Sequence, residues 1–410
     1  MRSPNRENGI APAAAIACAR LPPFKVALID PSLFTLPYDM KLVQGLRGLG
    51  HSVSFYGKSL GRDETAPDGA ALVQHFYPEM QNWGISRWPT PVSKMAKGVL
   101  HFRSMRRLVD VLRAEQPDVI HFQWLPLPIV DRRFIGALRT IAPLVLTAHD
   151  SRPFNASPSS MIQKLGATSA LDRFDRVVVH TEQARRRLVE YGVEPGRIAR
   201  IAHGFLHDDH PAPAAARAAG EDKPVCFLLF GKIKPYKGAD LAIEAMRRML
   251  PRERERCLLR IVGKPYVDTR PLVRAAAELG SCVALEFRHV PDAEIPSLLA
   301  EADALLFPYR EIDMSGVLMA ALTAARPIIA SEIGGFTELL QNGQTALLVP
   351  AGDPDALSAA MRKLAREPST RRDMSLEIRA LAAIVPTWKT IAAETAAVYA
   401  QAREVRAAGG

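Results

Sequence analysis

Three lysines crowd into one short stretch, FGKIKPYKG at residues 230–238. An apolar run ends at Phe230 and Gly231 permits a tight turn. Lys232, Lys234 and Lys237 then follow, with Pro235 stiffening the loop and Gly238 opening the next helix. Three ammonium groups at the end of a buried strand suit a dianionic or trianionic group such as a diphosphate, because fixed cations neutralise its charge without reorganising. The bland alternative is a solvated basic loop. A second stretch, LLFPYREIDMSGVLMAALTAARPIIAS at 305–331, reads as strand, polar loop, helix and strand. Ser315 is placed to cap a helix that starts at Gly316 and Val317, and the free amides and positive dipole end of that helix would take phosphate. An ordinary strand-to-helix joint is the alternative here.

These residues resemble the retaining nucleotide-sugar glycosyltransferases of glycosyltransferase family 4, which have the GT-B fold. The resemblance runs over about residues 24–400. In that family a Gly-Arg-x-x-x-x-Lys-Gly-like loop holds the donor diphosphate, and Gly231, Lys232, Lys237 and Gly238 match it with lysine in place of arginine. The family's next signature is a Glu-x7-Glu pair followed by Gly-x-Pro. Counting between Pro308 and Pro327 puts the first Glu position on Ile312, the second on Ala320 and the Gly-x-Pro glycine on Ala325. Both signature glutamates are thus absent from their places. Ser315 and Gly316 stand in for the phosphate-binding turn, and Glu311 or Asp313 is expected to take over part of the missing work. Arg288, at the end of the segment CVALEFRHV, is a further expected donor contact.

The resemblance extends into the first half. His149, ending LTAHD, matches the histidine that lies over the donor sugar, which makes Lys232, Lys237 and His149 the expected catalytic set. His203-Gly204 matches the turn before the interdomain linker. Gly334, Gly335, Glu338 and Gly343 match a Gly-Gly-x-x-Glu segment, and Trp388 begins a helix that in the family crosses back to the first domain. His121 stands between a structural and a functional role; His180 reads as structural. The implied reaction moves a sugar, with retention, from a nucleotide-diphosphate sugar to a saccharide or lipid-linked saccharide in polysaccharide or glycolipid biosynthesis. The leaving diphosphate itself takes the acceptor proton, and no cofactor is implied. The Asp-x-Asp at Asp353-Pro354-Asp355 precedes a helical pattern and reads as an acidic N-terminus, so no metal site is expected and the lysines take the place of a divalent cation. The alternative reading is a non-catalytic nucleotide-sugar-binding or partner protein that lost activity with its glutamates.

One further pattern lies outside the donor loops. Residues 87–113, RWPTPVSKMAKGVLHFRSMRRLVDVLR, are strongly basic. Met95, Val99, Phe102, Met105, Val109 and Leu112 fall on one helical face, Arg103, Arg106 and Arg107 lie among them in the sequence, and Trp83 and Trp88 precede the helix. This is the composition of a helix lying on an anionic membrane, and equally of a domain helix with a solvated basic face. On the first reading the acceptor side meets the inner face of the cell membrane; on either, the protein is expected in the cytoplasm.

The elements that must position these residues alternate. The strands FKVALID, HSVSFYG, VIHFQW, PLVLTAH, RVVVHT and RIARIAHG are set among helical patterns up to residue 204, and the alternation restarts at PVCFLLFG. Alternation of this kind predicts parallel sheets with helices on both faces. The chain therefore divides into a disordered tail at 1–22, an acceptor-side Rossmann-like domain at 23–208, a linker at 209–223, a donor-side Rossmann-like domain at 224–387, and a crossover helix and tail at 388–410, with the two domains facing a cleft. Length and composition agree: 410 residues, 48% hydrophobic and 23% charged, suit two or three packed domains and exclude a mainly disordered chain. No apolar window is long enough to span a bilayer. Four cysteines without CxxC spacing exclude a zinc ribbon or a disulfide framework. The net charge of +10 sits mostly in residues 1–210, but no recognition motif accompanies it, so no nucleic-acid partner is expected.

Overall fold

The computed structural model describes residues 21–60, 72–78, 90–150, 170–206 and 223–409. Trp83, Trp88, nearly all of the tail and most of the linker lie outside these residues.

Among the described residues the strands form two parallel sheets. The first holds β1 (Lys25–Asp30), β2 (Ser52–Lys58), β3 (Leu72–Phe76), β4 (Val119–Phe122), β5 (Leu144–Thr147), β6 (Arg176–Val179) and β7 (Ile198–Arg200) in the order 3-2-1-4-5-6-7. The second holds β8 (Val225–Phe230), β9 (Cys257–Val262), β10 (Val283–Glu286), β11 (Ala304–Phe307), β12 (Ile328–Ser331) and β13 (Leu347–Val349) in the order 10-9-8-11-12-13. These are two doubly wound Rossmann-like domains. Strands such as Val225–Phe230 are apolar along nearly their whole length because helices cover both faces of a parallel sheet. In each sheet the order reverses once, between β1 and β4 and between β8 and β11. A crevice opens at the carboxyl ends of such a pair, and ligands bind there. The lysine loop follows β8 and Tyr309 follows β11, so the residues expected to hold the donor stand at the second reversal.

The first domain adds α1 (Leu36–Gly48), α2 (Thr90–Glu115), α3 (Pro128–Arg139) and α4 (Glu182–Glu190). The second adds α5 (Ala239–Arg247), α6 (Pro251–Arg254), α7 (Arg270–Ala277), α8 (Ile295–Ala300), α9 (Gly316–Ala324), α10 (Gly334–Leu339), α11 (Pro354–Arg366) and α12 (Pro368–Ala383). The last helix, α13 (Trp388–Gly409), returns to the first domain. There Ile391, Ala392, Ala396 and Tyr399 share a buried cluster with Phe24, Leu42 and Leu46, and the Trp388 indole donates to the Phe205 carbonyl. A second link is polar. The Glu338 carboxylate accepts from the amides of Glu182 and Gln183, each at 2.7 Å, while Thr181 takes the Ala184 amide at 3.1 Å. A carboxylate of one domain thus satisfies the open amides and the dipole end of a helix in the other. Arg187 and Asp313 add an ion pair at 2.6 Å across the same boundary.

Three expectations change. Strand β3 and helices α3 and α12 have no counterpart in the sequence reading, because their apolar positions are few or interrupted by charge. The apolar stripe of α2 splits: Met105, Val109 and Leu112 are buried, whereas Met95, Val99 and Phe102 are exposed. Ala325, in the Gly-x-Pro glycine position, caps α9 in the left-handed region at φ 51. A Cβ there costs roughly 1–2 kcal/mol, so Ala325→Gly should raise stability by about 1 kcal/mol in urea denaturation. A loss of stability would mean that packing of the buried methyl outweighs the backbone strain.

Candidate donor and acceptor site

The donor side is built from glycine turns and one buried cation. The chain leaves β8 through Gly231 at φ 114, makes a single tight turn over Pro235–Lys237, and enters α5 through Gly238 at φ 69. Neither glycine can be replaced freely. A Cβ on Gly238 would stand 2.0 Å from the Pro308 carbonyl oxygen, and one on Gly231 would stand 2.9 Å from Lys237 Nζ and 3.1 Å from Val317 Cγ2. Gly231, Lys237, Gly238 and Val317 therefore meet in one place. Lys237 is 5% exposed, and its Nζ donates to the Tyr309 hydroxyl at 2.7 Å. The Tyr309 hydroxyl also hydrogen-bonds Ser315, whose Oγ caps α9 by accepting from the Leu318 amide at 3.3 Å. Lysine, tyrosine, serine and helix N-terminus form one connected cradle.

Its electrostatics favour an anion. Burial pulls Lys237 down to about 8 from the usual lysine value. Lys234 is lowered first by burial and then by repulsion from Lys232 and Lys237, while Asp150, at the end of the β5 segment across the cleft, acts in the opposite sense. Lys232 is exposed. Mutually repelling, partly desolvated cations are relieved by an incoming polyanion. Two other expected donor residues are engaged elsewhere. Asp313 is buried with its carboxylate on Arg187 of the first domain and its carbonyl on the Gly335 amide at 2.9 Å, so it serves the domain boundary. Arg288 is exposed and pairs with Glu294 at 2.8 Å. Glu311 lies half-buried in the loop before α9.

On the first domain, His149 Nε2 faces the Gln123 side-chain amide at 2.8 Å and its Nδ1 faces His180 Nε2 at 3.2 Å; His180 Nδ1 reaches the Ile201 carbonyl at 3.0 Å. A carbonyl only accepts, so His180 carries its proton on Nδ1 and offers a lone pair at Nε2. His149 must then donate from Nδ1 and keep a lone pair at Nε2, which requires the Gln123 amide to present its NH2 there in place of Oε1. Burial, then the neighbouring imidazoles, hold His149 well below the usual histidine range, and burial puts His180 at about 4 and His203 at about 3. His149 is therefore neutral, with its tautomer set through His180. His203 is buried with Nδ1 on the Gly204 carbonyl at 2.7 Å. His121 bridges Tyr399 of α13 and Thr147, each at 2.8 Å, which is a structural role. Gln123 and Tyr309 were missed by the sequence reading; single polar or aromatic residues at strand ends give no spacing signal.

Comparison with known proteins identifies the family and the fold. Residues 40–227 match the model described as Glycosyltransferase Family 4, and residues 224–367 the one described as Glycosyl transferases group 1. A D-inositol 3-phosphate glycosyltransferase of Geodermatophilus obscurus is 30% identical over 71% of this chain and 68% of its own. The chain belongs to glycosyltransferase family 4. A D-inositol 3-phosphate glycosyltransferase of Kribbella flavida is 29% identical over 73% of this chain and 76% of its own. Among solved structures, the sucrose-phosphate synthase of Thermosynechococcus elongatus has a TM-score of 0.72 at 19% identity, covering 93% of this chain and 99% of its own. Anabaena Alr3699/HepE, solved with UDP and glucose, has a TM-score of 0.64 at 16% identity, covering 91% of this chain and 98% of its own. At such identities these structures speak for the fold alone, which is GT-B.

The lysine cradle of this family 4 enzyme makes a pH-dependent prediction. Lys237 has a pKa lowered to about 8, so it is half charged there and fully charged only well below it. Affinity for a nucleoside diphosphate should be flat well below that value and fall as pH rises through it. Calorimetric titration with UDP checks this, and Lys237→Met should bind more weakly and lose the pH dependence. A wild-type affinity that does not change through this range would remove Lys237 from the anion site.

Proposed function

We propose that the protein transfers a sugar from a nucleotide-diphosphate sugar to a hydroxyl of a saccharide or lipid-linked saccharide, with retention and without a metal ion. The observation that carries this reading is the buried Lys237 ammonium, held between Gly231, Tyr309 and α9 at the strand reversal of the second sheet. Lys232, Lys234 and Lys237 would neutralise the diphosphate as the glycosidic bond breaks, and the amides at Ser315–Val317 would hold its far oxygens. Neutral His149 would orient the sugar from the opposite side. The leaving phosphate oxygen takes the acceptor proton as the new bond forms on the same face, so no separate base is needed. Names of the relatives, and the UDP and glucose bound by Anabaena Alr3699/HepE, support a nucleotide sugar and a hydroxylated acceptor.

A non-catalytic binding protein is favoured by one observation: the positions of both signature glutamates are apolar, and Ala320 is buried. Turnover with a panel of nucleotide sugars decides between the two. If the enzyme is active, Lys237→Ala should lower kcat by roughly 10²–10³, the size of one lost oxyanion-type donor, and a chelator should leave activity unchanged. Near wild-type turnover in Lys237→Ala would sink the role of Lys237, and loss of activity on chelation would show a required metal.

No helix among the described residues is long and apolar enough to cross a membrane. The exposed Met95, Val99 and Phe102 beside Arg103 and Arg106 on α2 support peripheral attachment to an anionic membrane surface on the cytoplasmic side. Each basic residue near such a surface contributes about 1 kcal/mol, screened within a Debye length. Sedimentation with phosphatidylserine vesicles should fall with salt and be abolished when Arg103, Arg106 and Arg107 are all changed to Glu. Vesicle binding that survives the triple change would leave α2 as an ordinary domain helix.

A further inference from the structure

Across the cleft from the lysine cradle lies a buried relay that the donor chemistry does not use. Asp131 stands in the first turn of α3, just beyond β4, and its Oδ1 is 2.5 Å from His101 Nε2; both residues are fully buried in mid-domain. The other oxygen of Asp131 accepts from the Leu127 amide at 3.0 Å, which locks the carboxylate in place. His101 Nδ1 meets the Tyr77 hydroxyl at 2.8 Å, and Tyr77 in turn hydrogen-bonds the Ser32 hydroxyl.

The direction of every bond follows from its first member. A carboxylate only accepts, so His101 donates from Nε2, and as the neutral imidazole it presents a lone pair at Nδ1. Tyr77 must then donate its proton to His101, and its oxygen accepts the proton of Ser32. Burial and Asp131 hold the Tyr77 hydroxyl above the usual tyrosine range, so it keeps that proton. The chain Ser32 to Tyr77 to His101 to Asp131 runs one way. Such chains strengthen each member by mutual polarisation. At its open end both hydroxyl protons are spent, and only oxygen lone pairs are left. Ser32 and Tyr77 are half-buried, whereas the rest of the relay is enclosed.

The backbone is arranged around that open end. Tyr77 and Leu33 are held in the left-handed region at φ 56 and φ 53, and neither is glycine. Strain of this kind persists where the surroundings over-determine it, and it clusters at ligand sites. The Asp30 carboxylate fixes the loop by accepting from the amides of Ser32 and Thr35, each at 3.1 Å. Beneath it the buried Asp30 and Asp39 carboxyls hydrogen-bond each other, with Asp39 raised well above the usual range by burial and then by Asp30, so the pair shares a proton. Ser32 follows β1, beside β4, at the strand reversal of the first sheet, and Tyr77 follows β3 at the same edge.

We propose that Ser32 and Tyr77 form a binding site for a neutral hydroxyl group of the acceptor, aimed by His101 and Asp131. Lone pairs without free protons select a ligand that donates, which a hydroxyl does and a fully ionised phosphate does not. The carboxylates behind them set a negative field that further excludes a phosphate from this spot. The two sides of the cleft thus divide the substrates by charge, with the anionic donor on the lysines and the uncharged part of the acceptor on the relay. This rests on the transferase reading above, and it names the acceptor chemistry that the reading leaves open. His101 and Asp131 are positioning residues.

The test uses the full-length enzyme with neutral monosaccharides and myo-inositol as acceptor probes. One lost hydrogen bond to a neutral group corresponds to about a three- to tenfold change. Ser32→Ala and Tyr77→Phe should each raise the acceptor KM by that factor while the donor KM stays at the wild-type value. His101→Gln should show the same split between the two KM values although it touches no ligand, which a loss of folding would not produce. Acceptor KM values unchanged in both Ser32→Ala and Tyr77→Phe would overturn the site. If the wild type neither transfers nor hydrolyses any nucleotide sugar, the transferase reading has failed on its own. Saturation-transfer NMR with the same probes then decides the site: signals weakened in the two variants uphold it, and signals retained overturn it.

Discussion

In a parallel sheet every strand delivers its carboxyl end to the same edge, and this constraint organises the molecule. Each strand order reverses once, so the loops on either side of the reversal part and leave a crevice. In the second domain that crevice receives the loop after β8 and the segment after β11, which bring Lys237 and Tyr309 to hydrogen-bonding distance although they are far apart in sequence. In the first domain it receives Ser32 after β1 and Gln123 after β4. Helix α13 and the Glu338 carboxylate on the α4 amides then tie the two edges together across the cleft.

Burial lowers the basic groups on both walls, with different outcomes because lysine starts from a far higher pKa than histidine. On the donor wall it lowers Lys237 and Lys234, so that the cations lack water and repel one another. On the transferase reading proposed above, a diphosphate would replace the missing solvation with direct charge neutralisation. On the first-domain wall burial keeps His149, His180 and His203 neutral. Their value is direction: one carbonyl, that of Ile201, fixes the proton on His180 and through it the proton on His149. Charge handling and hydrogen-bond orientation are thus separated between the domains.

The interdomain contacts explain why Asp313 left the donor site. A carboxylate flanking the vacant glutamate position was the natural substitute for it. In the folded chain Arg187 reaches the same carboxylate from α4, and a buried ion pair at 2.6 Å holds it there. The geometry instead gives the donor loop a tyrosine, Tyr309, whose hydroxyl links Lys237 to the cap of α9.

The alternation of apolar strands and helices, the glycine and lysine spacing at 230–238, and the serine cap before α9 were all legible in the chain itself, because each depends on local chemistry within a few residues. These were sufficient for the fold class and the family. Strand β3 and helix α12 were not legible, since their burial is one-sided and their apolar positions are sparse. Nor was the fate of the apolar stripe on α2, which depends on which part of that helix a neighbour covers. Partnerships across long sequence distances were decided only by tertiary structure: Asp313 with Arg187, Tyr399 with His121, and Asp131 with His101 and Tyr77. A side chain's type states what it can donate or accept, but the partner it finds is set by strand order and helix packing, which bring together residues that share no local pattern.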